Sequence, residues 1–281
     1  MNYHEILTKG TNFLKKKNIK NPYLDTELLL SKTVNRKREE ILLNIYNKAE
    51  NREIEKFKYY LSRRKRKEPI AYIIGYKYFW KYRFLTNKSV LIPRPDTELI
   101  IEESLNYLSI DNSKKILDIG TGSGCIIISL IKEMPKCKAT ALDISLKAIK
   151  VAKTNAKLHQ LENKINFINI DIDKYKSSNY DLVISNPPYI NSIDLNRLDD
   201  DIKFHEPKLA LSGGSDGFRS IYKVIKKSKK LLKINGKLIL EIGHKQKNQI
   251  VKMLKENNFY INKIAKDLSK KDRCIVSTRL K

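Results

Sequence analysis

The sequence is poor in the residues that build disulfide frameworks and zinc sites. It contains three cysteines and four histidines. They are scattered without ligand spacing, so neither a disulfide framework nor a metal site is expected. Long apolar runs are also missing, because the longest, residues 125–131, is too short to cross a bilayer. The amino terminus lacks a basic segment followed by an apolar one, so no secretory signal is expected. We therefore expect a cytoplasmic protein without a membrane-spanning segment.

Acidic residues are scarce beside basic ones. The chain has 57 Lys and Arg against 31 Asp and Glu, which gives a formal net charge of +26. A charge of this sign favours contact with polyanions through release of their counterions. The basic residues are spread along the chain, however, and this favours a biased composition over a dedicated nucleic-acid surface. The densest run, residues 63–67, is the best candidate for such a surface, but it is also typical of a solvated helix end. The charge permits nucleic-acid binding without requiring it.

The pattern of apolar residues divides the chain into three regions. Residues 1–71 show helical spacing, which predicts a small helical bundle for substrate recognition. Residues 72–93 are rich in aromatic strand formers with a turn-like stretch at 86–89, so we expect a β-hairpin linker whose aromatics pack between the domains rather than stack on bases. Residues 94–281 alternate strands with helices, and Asp96 is expected to cap the first helix. This alternation predicts an α/β fold with a doubly wound sheet.

A glycine-rich loop joins the first strand of the third region to a helix. Its sequence is Gly120-Thr121-Gly122-Ser123-Gly124. Glycines let a backbone approach a ligand closely, and the following helix presents free N–H groups. A dinucleotide-binding fingerprint requires glycine where Cys125 stands, so the spacing argues against a nicotinamide cofactor. The loop suits a ligand whose amino-acid part and ribose lie over it, and tight strand-to-helix packing is the alternative interpretation.

Candidate ligand-binding residues, both polar and apolar, also follow the next two strands. Asp143 ends the second strand, about 20 residues beyond the loop, where a carboxylate can accept from both hydroxyls of a ribose. An ordinary helix cap is the competing interpretation. Asp171 and Ile172 end the third strand and are placed to border an adenine. All three lie at the carboxyl edge of the predicted sheet, where ligands bind in α/β folds.

The tetrapeptide Asn186-Pro187-Pro188-Tyr189 follows the apolar strand at residues 180–185. The prolines lack N–H donors and fix φ, and Pro187 restricts Asn186 to an extended backbone. The Asn186 side-chain oxygen and the Pro187 carbonyl could each accept one hydrogen of a planar NH2 group, while Tyr189 packs on that group. A strand-ending turn is the alternative. Convergence with the glycine loop at one sheet edge favours a site.

These motifs, in this order, resemble class I S-adenosylmethionine-dependent methyltransferases, and more narrowly the peptide chain release factor glutamine methyltransferases, the PrmC/HemK family. The matching segments are residues 68–72, 91–98, 120–124, 186–190, 206–211, 213–217, 240–243 and 272–273. The resemblance implies a Rossmann-like methyltransferase sheet, mostly parallel with one antiparallel strand. It implies that S-adenosylmethionine contacts Gly120, Thr121, Gly122, Ser123, Gly124, Asp143, Ile172 and Asn186. Residues 186–189 would bind the glutamine, and Ile172 stands where family members often carry an aromatic.

The family resemblance also implies an activity, namely methylation of the glutamine side-chain nitrogen in the Gly-Gly-Gln loop of bacterial class I release factors. The helical region would grip the factor, and the protein is expected to act as a monomer. An adenine-N6 methyltransferase acting on DNA or RNA is one alternative, since an exocyclic amine has the same NH2 geometry. The sequence shows no sizeable insertion to hold a flipped base, which argues against it. A ribosomal-protein glutamine methyltransferase would share the tetrapeptide. A non-catalytic basic binding module would not need the intact glycine loop and Asn186.

Overall fold

The computed structural model describes residues 1–108 and 113–281, which form two compact units. The helical unit comprises residues 1–76 and 199–205, and the sheet unit comprises residues 77–198 and 206–281. The helical unit thus extends beyond the predicted boundary at residue 71 and takes in a short segment from far along the chain. No helix in the described ranges is both long and apolar enough to cross a bilayer.

The helices and strands follow one another in the order that the apolar periodicity predicts for the helical region and for the α/β region. The helices are α1 (Tyr3–Lys15), α2 (Pro22–Val34), α3 (Arg38–Leu43), α4 (Asn51–Lys65), α5 (Ile70–Ile74), α6 (Glu98–Tyr107), α7 (Cys125–Glu133), α8 (Leu146–Leu158), α9 (Ser192–Asn196), α10 (Asp200–Lys203), α11 (Lys208–Leu211), α12 (Arg219–Leu231) and α13 (Lys247–Glu256). The strands are β1 (Tyr76–Phe79), β2 (Tyr82–Leu85), β3 (Lys115–Ile119), β4 (Lys138–Asp143), β5 (Ile165–Asn169), β6 (Tyr180–Ser185), β7 (Leu232–Glu241), β8 (Phe259–Lys266) and β9 (Asp272–Arg279). Two short 3-10 helices span Pro95–Thr97 and Ile172–Lys174.

The helical unit has its own apolar core. Helix α1 begins at a capping box: Asn2 Oδ1 accepts from the Glu5 N–H at 2.9 Å, and Glu5 Oε2 accepts from the Asn2 N–H at 3.3 Å. This exchange satisfies donors that a helix start leaves without partners. The apolar faces of the first five helices then bury Tyr3, Ile6, Leu7, Leu29, Leu30, Ile41, Phe57 and Ile73. The predicted helical region is therefore confirmed.

The densest basic run lies at the end of α4 and is partly neutralised inside the helical unit. Arg63 donates from Nε and Nη2 to the Glu68 carboxylate at 2.9 and 2.7 Å. Arg64 is buried and pairs with Asp25 at 2.7 Å and with Asp201 at 2.8 Å. Burying a charge is costly unless it is paired in this way. The run therefore does not offer five free charges to a polyanion.

The main sheet has seven strands in the order β5-β4-β3-β6-β7-β9-β8. The strands from β5 to β7 pair in parallel, and β9 is antiparallel to both β7 and β8. The predicted sheet, mostly parallel with one antiparallel strand, is confirmed. The strand order reverses at β3, because β4 and β5 lie on one side of it and β6 and β7 on the other. Ligands in open α/β sheets bind at the carboxyl ends of the strands beside such a reversal.

The central strands are covered by helices on both faces. All six residues of β6 are buried. Leu182 and Ile184 contribute to one apolar cluster while Val183 contributes to another. Alternate side chains of a strand point to opposite faces, so both faces of the sheet carry a core. This explains why β6 is a nearly continuous apolar run rather than an alternating one.

A turn forms close to the predicted residues 86–89, where the Val90 N–H donates to the Asn87 carbonyl at 3.2 Å, but the prediction that this turn closes the hairpin is wrong. Strands β1 and β2 are joined by Trp80 and Lys81, and Trp80 takes a left-handed backbone with φ of +54°. Two-residue hairpin loops favour positive φ, which aromatic residues rarely supply, so the sequence carried no turn signal there. Phe79 and Phe84 are buried with ring centroids 6.1 Å apart and join the core of the sheet unit. These two phenylalanines therefore pack, whereas Tyr78 is exposed, and packing of the hairpin aromatics between the domains stays a prediction.

Candidate active site at the carboxyl edge of the sheet

The site residues predicted from the sequence follow the carboxyl ends of four parallel strands. The glycine loop at 120–124 begins directly after β3, and Asp143 is the last residue of β4. Ile172 follows β5, and Asn186 is the first residue beyond β6. These four strands are neighbours in the sheet. The fold therefore brings the predicted residues to one edge, at the point where the strand order reverses.

The glycine loop leaves its backbone open on one side. Gly120, Gly122 and Gly124 have φ of +75°, +56° and +81°, a region that favours glycine. A Cβ at Gly120 would meet no described atom within 4 Å, whereas one at Gly124 would meet Ile128 at 2.9 Å and Ala152 at 3.3 Å. Tight helix packing, the alternative interpretation, thus accounts for Gly124 alone. The earlier part of the loop faces open space in which a ligand can approach the backbone.

Asp143 is held against the loop by two backbone hydrogen bonds. Its Oδ2 accepts from the Gly122 N–H at 2.9 Å and its Oδ1 from the Ser145 N–H at 2.8 Å. Burial raises the pKa of Asp143, and these two N–H groups oppose the rise. The cap of α8 is the Ser145 hydroxyl, which accepts from the Ala148 N–H at 3.2 Å. Each carboxylate oxygen of Asp143 keeps a lone pair for a further donor.

Asp118, within β3, is a buried carboxylate that the sequence did not single out. It is fully buried, and no described residue makes a hydrogen bond of normal geometry to either of its oxygens. Burial, together with repulsion from Asp143, raises the pKa of Asp118 to about 7, and the nearby Thr121 hydroxyl offsets only part of that rise. A buried polar group without a partner is costly. The arrangement suits a site that a cationic ligand completes.

Ile172 lies at the start of the 3-10 helix after β5. The preceding Asp171 caps that helix by accepting from the Asp173 N–H at 2.9 Å. Ile172 is half-buried against the apolar cluster on its face of the sheet. The Ile170 N–H donates to the Asp143 carbonyl at 3.0 Å, which ties this segment to the end of β4. Asp171 thus caps the helix through Oδ1, and Ile172 adds an apolar surface to the same segment.

The Asn-Pro-Pro-Tyr segment is anchored where it leaves β6. The buried Ser185 hydroxyl donates to the Ile119 carbonyl at 2.7 Å, which locks the ends of β3 and β6 together. Asn186 then donates from Nδ2 to the Thr97 hydroxyl at 3.1 Å. Pro187 is buried beside it. No described residue donates to the Asn186 side-chain oxygen or to the Pro187 carbonyl, so both remain available as acceptors.

A buried carboxylate organises the groups around Asn186. Glu241, the last residue of β7, accepts from the Thr97 hydroxyl at 2.6 Å and from the Tyr189 hydroxyl at 3.2 Å. Burial raises the pKa of Glu241 to about 7, while Thr97, Arg273 and Tyr189 oppose the rise. Burial and the Glu241 charge raise the pKa of Tyr189 well above its usual value. Tyr189 is therefore a neutral donor, and Glu241 is the acceptor for both hydroxyls.

Gln246 braces the same segment from behind. Its Nε2 donates to the carbonyls of Tyr189 and Gly217, each at 3.1 Å, and its Oε1 accepts from the Gly243 N–H at 3.0 Å. Gly217 has a φ of +84°, and a Cβ there would lie 2.6 Å from the Tyr189 carbonyl. Glycine at 217 is therefore required by the close approach of the Tyr189 carbonyl, and a Cβ at Gly243 would lie 2.8 Å from Gln246 Oε1.

The segment before α6 is fixed by ion pairs. Glu206 pairs with Arg94 and accepts from the Ile92 N–H at 3.2 Å. Asp96 lies inside a 3-10 turn and faces Arg273 at 3.4 Å, so the prediction that it caps α6 is wrong. The 3-10 turn runs directly into α6, so Thr97 and not Asp96 occupies the position before the first residue of the helix. These contacts set the position of the following Thr97.

The structure adds Thr97, Glu241 and Asp118 to the predicted site. One signal could have found the two acids, because each interrupts an apolar strand near its carboxyl end. Thr97 gave no such signal, since its partners are remote in sequence. In the described part of the chain, no cluster of three or more His, Cys, Asp or Glu side chains is arranged to hold a metal ion.

The strand order, the open glycine loop and the polar end of β6 define the class, a Rossmann-like methyltransferase fold. Two solved structures support this likeness in fold. The ribosomal protein L11 methylase of Lactobacillus delbrueckii subsp. bulgaricus matches with a TM-score of 0.51 at 17% identity, over 74% of this chain and 91% of that one. A methyltransferase from Pyrococcus furiosus matches with a TM-score of 0.51 at 16% identity, over 70% and 89%.

Sequence comparison identifies the family of methyltransferases to which the chain is related. Residues 5–75 match the family described as PrmC N-terminal domain, and residues 110–276 match the family described as methyltransferase domain. The release factor glutamine methyltransferase of Clostridium acetobutylicum is 34% identical over 99% of both chains. That of Caulobacter vibrioides is 34% identical over 97% of this chain and 94% of its own. The chain belongs to the release factor glutamine methyltransferase family.

Other relatives are longer. The bifunctional methyltransferase of Rickettsia felis is 35% identical over 97% of this chain but only 57% of its own length. That of Rickettsia bellii is 37% identical over 96% of this chain and 54% of its own length. The chain thus spans a little more than half the length of these relatives.

Proposed function

We propose that the protein transfers a methyl group from S-adenosylmethionine to the side-chain nitrogen of the glutamine in the Gly-Gly-Gln loop of bacterial class I release factors. The observation that carries this proposal is the free Asn186 side-chain oxygen beside the Pro187 carbonyl. The release factor glutamine methyltransferases from Clostridium and Caulobacter, similar over nearly the whole chain, support the choice of substrate. The helical unit would bind the release factor.

The glycine-loop half of the edge fits the cofactor. S-adenosylmethionine supplies an activated methyl group on a positively charged sulfur. The open backbone at Gly120 suits its amino-acid end, and the free lone pairs of Asp143 suit its ribose hydroxyls. Ile172 offers an apolar surface for the adenine. The unpartnered Asp118 carboxylate adds negative charge, which favours a cationic ligand.

The other half fits a glutamine amide. An amide nitrogen is a weak nucleophile because its lone pair is conjugated. Asn186 Oδ1 and the Pro187 carbonyl would accept one N–H each, which directs the nitrogen at the methyl group and raises its electron density during transfer. Tyr189 would pack on the planar amide. Transfer forms a nitrogen–carbon bond and breaks the carbon–sulfur bond, whose electron pair stays on sulfur.

No side chain need remove a proton before transfer. Glu241, the carboxylate nearest to this segment in the hydrogen-bond network, already accepts from Thr97 and Tyr189. The amide proton becomes strongly acidic once the nitrogen has been alkylated, so it leaves to solvent afterwards. Positioning and electrostatic stabilisation therefore carry the chemistry.

The substrate class is tested by incubating the protein with labelled S-adenosylmethionine and, separately, a release factor, ribosomal protein and nucleic acid. We expect label in the release factor only. A release factor with glutamine replaced by alanine in the Gly-Gly-Gln loop is the control and should stay unlabelled. Label confined to nucleic acid would favour the adenine-N6 alternative, and label in ribosomal protein would favour the second protein substrate. Either result would overturn the proposal.

A further inference from the structure

The polar network around Asn186 has a direction, and that direction determines which end of the Asn186 amide faces the acceptor site. Thr97 Oγ1 lies 3.1 Å from Asn186 Nδ2 and 2.6 Å from Glu241 Oε2. Thr97 is buried, 3% exposed, so no water competes for its hydroxyl. We propose that Glu241 is a positioning residue that acts through Thr97 to orient the Asn186 amide with its oxygen toward the substrate. This inference rests on the proposed acceptor role of Asn186.

The direction follows from counting hydrogens. A threonine hydroxyl has one hydrogen to donate, and an ionised carboxylate can only accept. The Thr97 hydrogen must therefore go to Glu241, which leaves its lone pairs for Asn186. Only the NH2 end of the Asn186 amide can donate to them. The oxygen end is thereby turned away from Thr97, toward the space where the substrate amide would lie.

Without this constraint, the Asn186 amide could rotate and present its NH2 group to the substrate. Two N–H groups would then face each other, and one acceptor of the proposed pair would be lost. Groups that orient a functional side chain through a hydrogen bond commonly change activity by about 10- to 100-fold when removed. We expect an effect of this size on kcat rather than on KM, since orientation at the reacting nitrogen matters most during transfer.

Protonation of Glu241 would reverse the direction of the hydrogen bonds that join Glu241, Thr97 and Asn186. The charged and titratable groups around it are Asp96 before α6, Tyr189 after β6, and Arg273 and Cys274 in β9. Arg273 favours the ionised form of Glu241, and Asp96 opposes it. A protonated Glu241 can donate to the Thr97 hydroxyl, which can then donate its own hydrogen to the Asn186 side-chain oxygen. That oxygen would then face Thr97 instead of the substrate. Because burial raises the pKa of Glu241 to about 7, kcat should rise as the pH passes upward through that value.

The decisive variants are Thr97→Val and Thr97→Ser. Valine keeps the size of the side chain but removes the hydroxyl, whereas serine keeps the hydroxyl. We expect Thr97→Val to lower kcat by about 10- to 100-fold with little change in KM, and Thr97→Ser to rescue most of the loss. Equal kcat values for the two variants would overturn the inference. Glu241→Gln should remove the step in kcat near pH 7, and a step that persists would also contradict it.

A second readout needs neither cofactor nor substrate. In protein with ¹⁵N-labelled asparagine, the NH2 signals of Asn186 can be assigned by their loss in Asn186→Ala. We expect these signals to shift as Glu241 titrates, and the shift to disappear in Glu241→Gln and in Thr97→Val. Signals that titrate identically in Thr97→Val would refute the link. If the wild type methylates no glutamine, the proposed function fails, yet this titration still decides whether Glu241 orients Asn186.

Discussion

The two halves of the carboxyl edge each contain a fully buried carboxylate, but they treat it in opposite ways. Asp118, on the glycine-loop half, has no hydrogen-bond partner of normal geometry among the described residues. Glu241, on the half that carries Asn186, accepts from the hydroxyls of Thr97 and Tyr189. Burial raises the pKa of both to about 7. The cost of burying a carboxylate is thus offset by protein hydroxyls at Glu241, whereas Asp118 has no such partner among the described residues.

Under the proposed function, this difference matches two different tasks. Asp118 is completely buried, so a cationic cofactor over the glycine loop would act on it through its charge, and that half of the edge is open at Gly120. A weakly nucleophilic substrate amide needs acceptors held in place beforehand, because directing it lowers the barrier only if the geometry already exists. The half around Asn186 therefore carries the dense network. Substitutions in the two halves should therefore have different effects.

The largest effect is expected from Asn186→Ala. This change removes one of the two proposed acceptors, and loss of one positioned group at a developing charge commonly costs about 100- to 1,000-fold in kcat. The fold should persist, because Asn186 is only half-buried and donates a single hydrogen bond, to Thr97. Single-turnover methylation measures the loss of activity, and thermal unfolding measures whether the fold persists. The exposed Asn248→Ala serves as the control, and unchanged turnover in Asn186→Ala would contradict the mechanism.

Asp143→Ala should act on the other half. The loss of a carboxylate that we propose accepts from two ribose hydroxyls should weaken S-adenosylmethionine binding by about 10- to 100-fold, since hydrogen bonds to charged groups contribute about 1.5–3 kcal/mol. Isothermal titration calorimetry measures this directly. The exposed Asp200→Ala should bind normally. Unaltered affinity in Asp143→Ala would remove Asp143 from the cofactor site.

Gln246→Ala should loosen the Asn186 half without touching the cofactor half. The change leaves the Tyr189 and Gly217 carbonyls and the Gly243 N–H without their partner, so we expect a loss of about 1–3 kcal/mol in the free energy of unfolding. Urea denaturation measures the loss. The exposed neighbour Gln249→Ala should change little. Equal stabilities of the two variants would show that Gln246 does not brace the segment.

The smallest effect concerns Asp118→Asn. The pKa of Asp118 is raised to about 7, so in the folded protein the carboxyl keeps a proton that the unfolded chain has already released. Stability then falls as the pH rises from about 4 to about 7. Asparagine cannot titrate, so the fall in Tm between about pH 5 and pH 8 should be smaller in the variant than in the wild type. Parallel Tm curves would mean that Asp118 is not perturbed.

Local patterns were enough to predict most of the fold. The periodicity placed the strands of the main sheet, because each parallel strand is an apolar run bounded by a helix start. It also predicted the glycine loop, Asp143 and Asn186 at one edge, since the carboxyl ends of parallel strands must meet there. The turn at Trp80 was missed because its left-handed backbone is imposed by the strand pairing rather than signalled by the residue.

The network around Asn186 could not be predicted in the same way. Thr97 and Glu241 are 144 residues apart in the chain, and Asn186 is 89 residues from Thr97. Contacts at such separations depend on the register of β6 and β7 and on the ion pairs that fix the segment before α6. The family resemblance marked the segments that contain these residues but assigned them no role.

The most direct test of the account is to locate the methyl group in a release factor treated with the protein and S-adenosylmethionine. Tandem mass spectrometry of the peptide that contains the Gly-Gly-Gln loop can assign the modified atom. We predict one methyl group on the side-chain nitrogen of the glutamine with the wild-type protein, and at least about 100-fold less of it with Asn186→Ala at the same early reaction time. A methyl group on another residue, or equal modification by Asn186→Ala, would contradict the account.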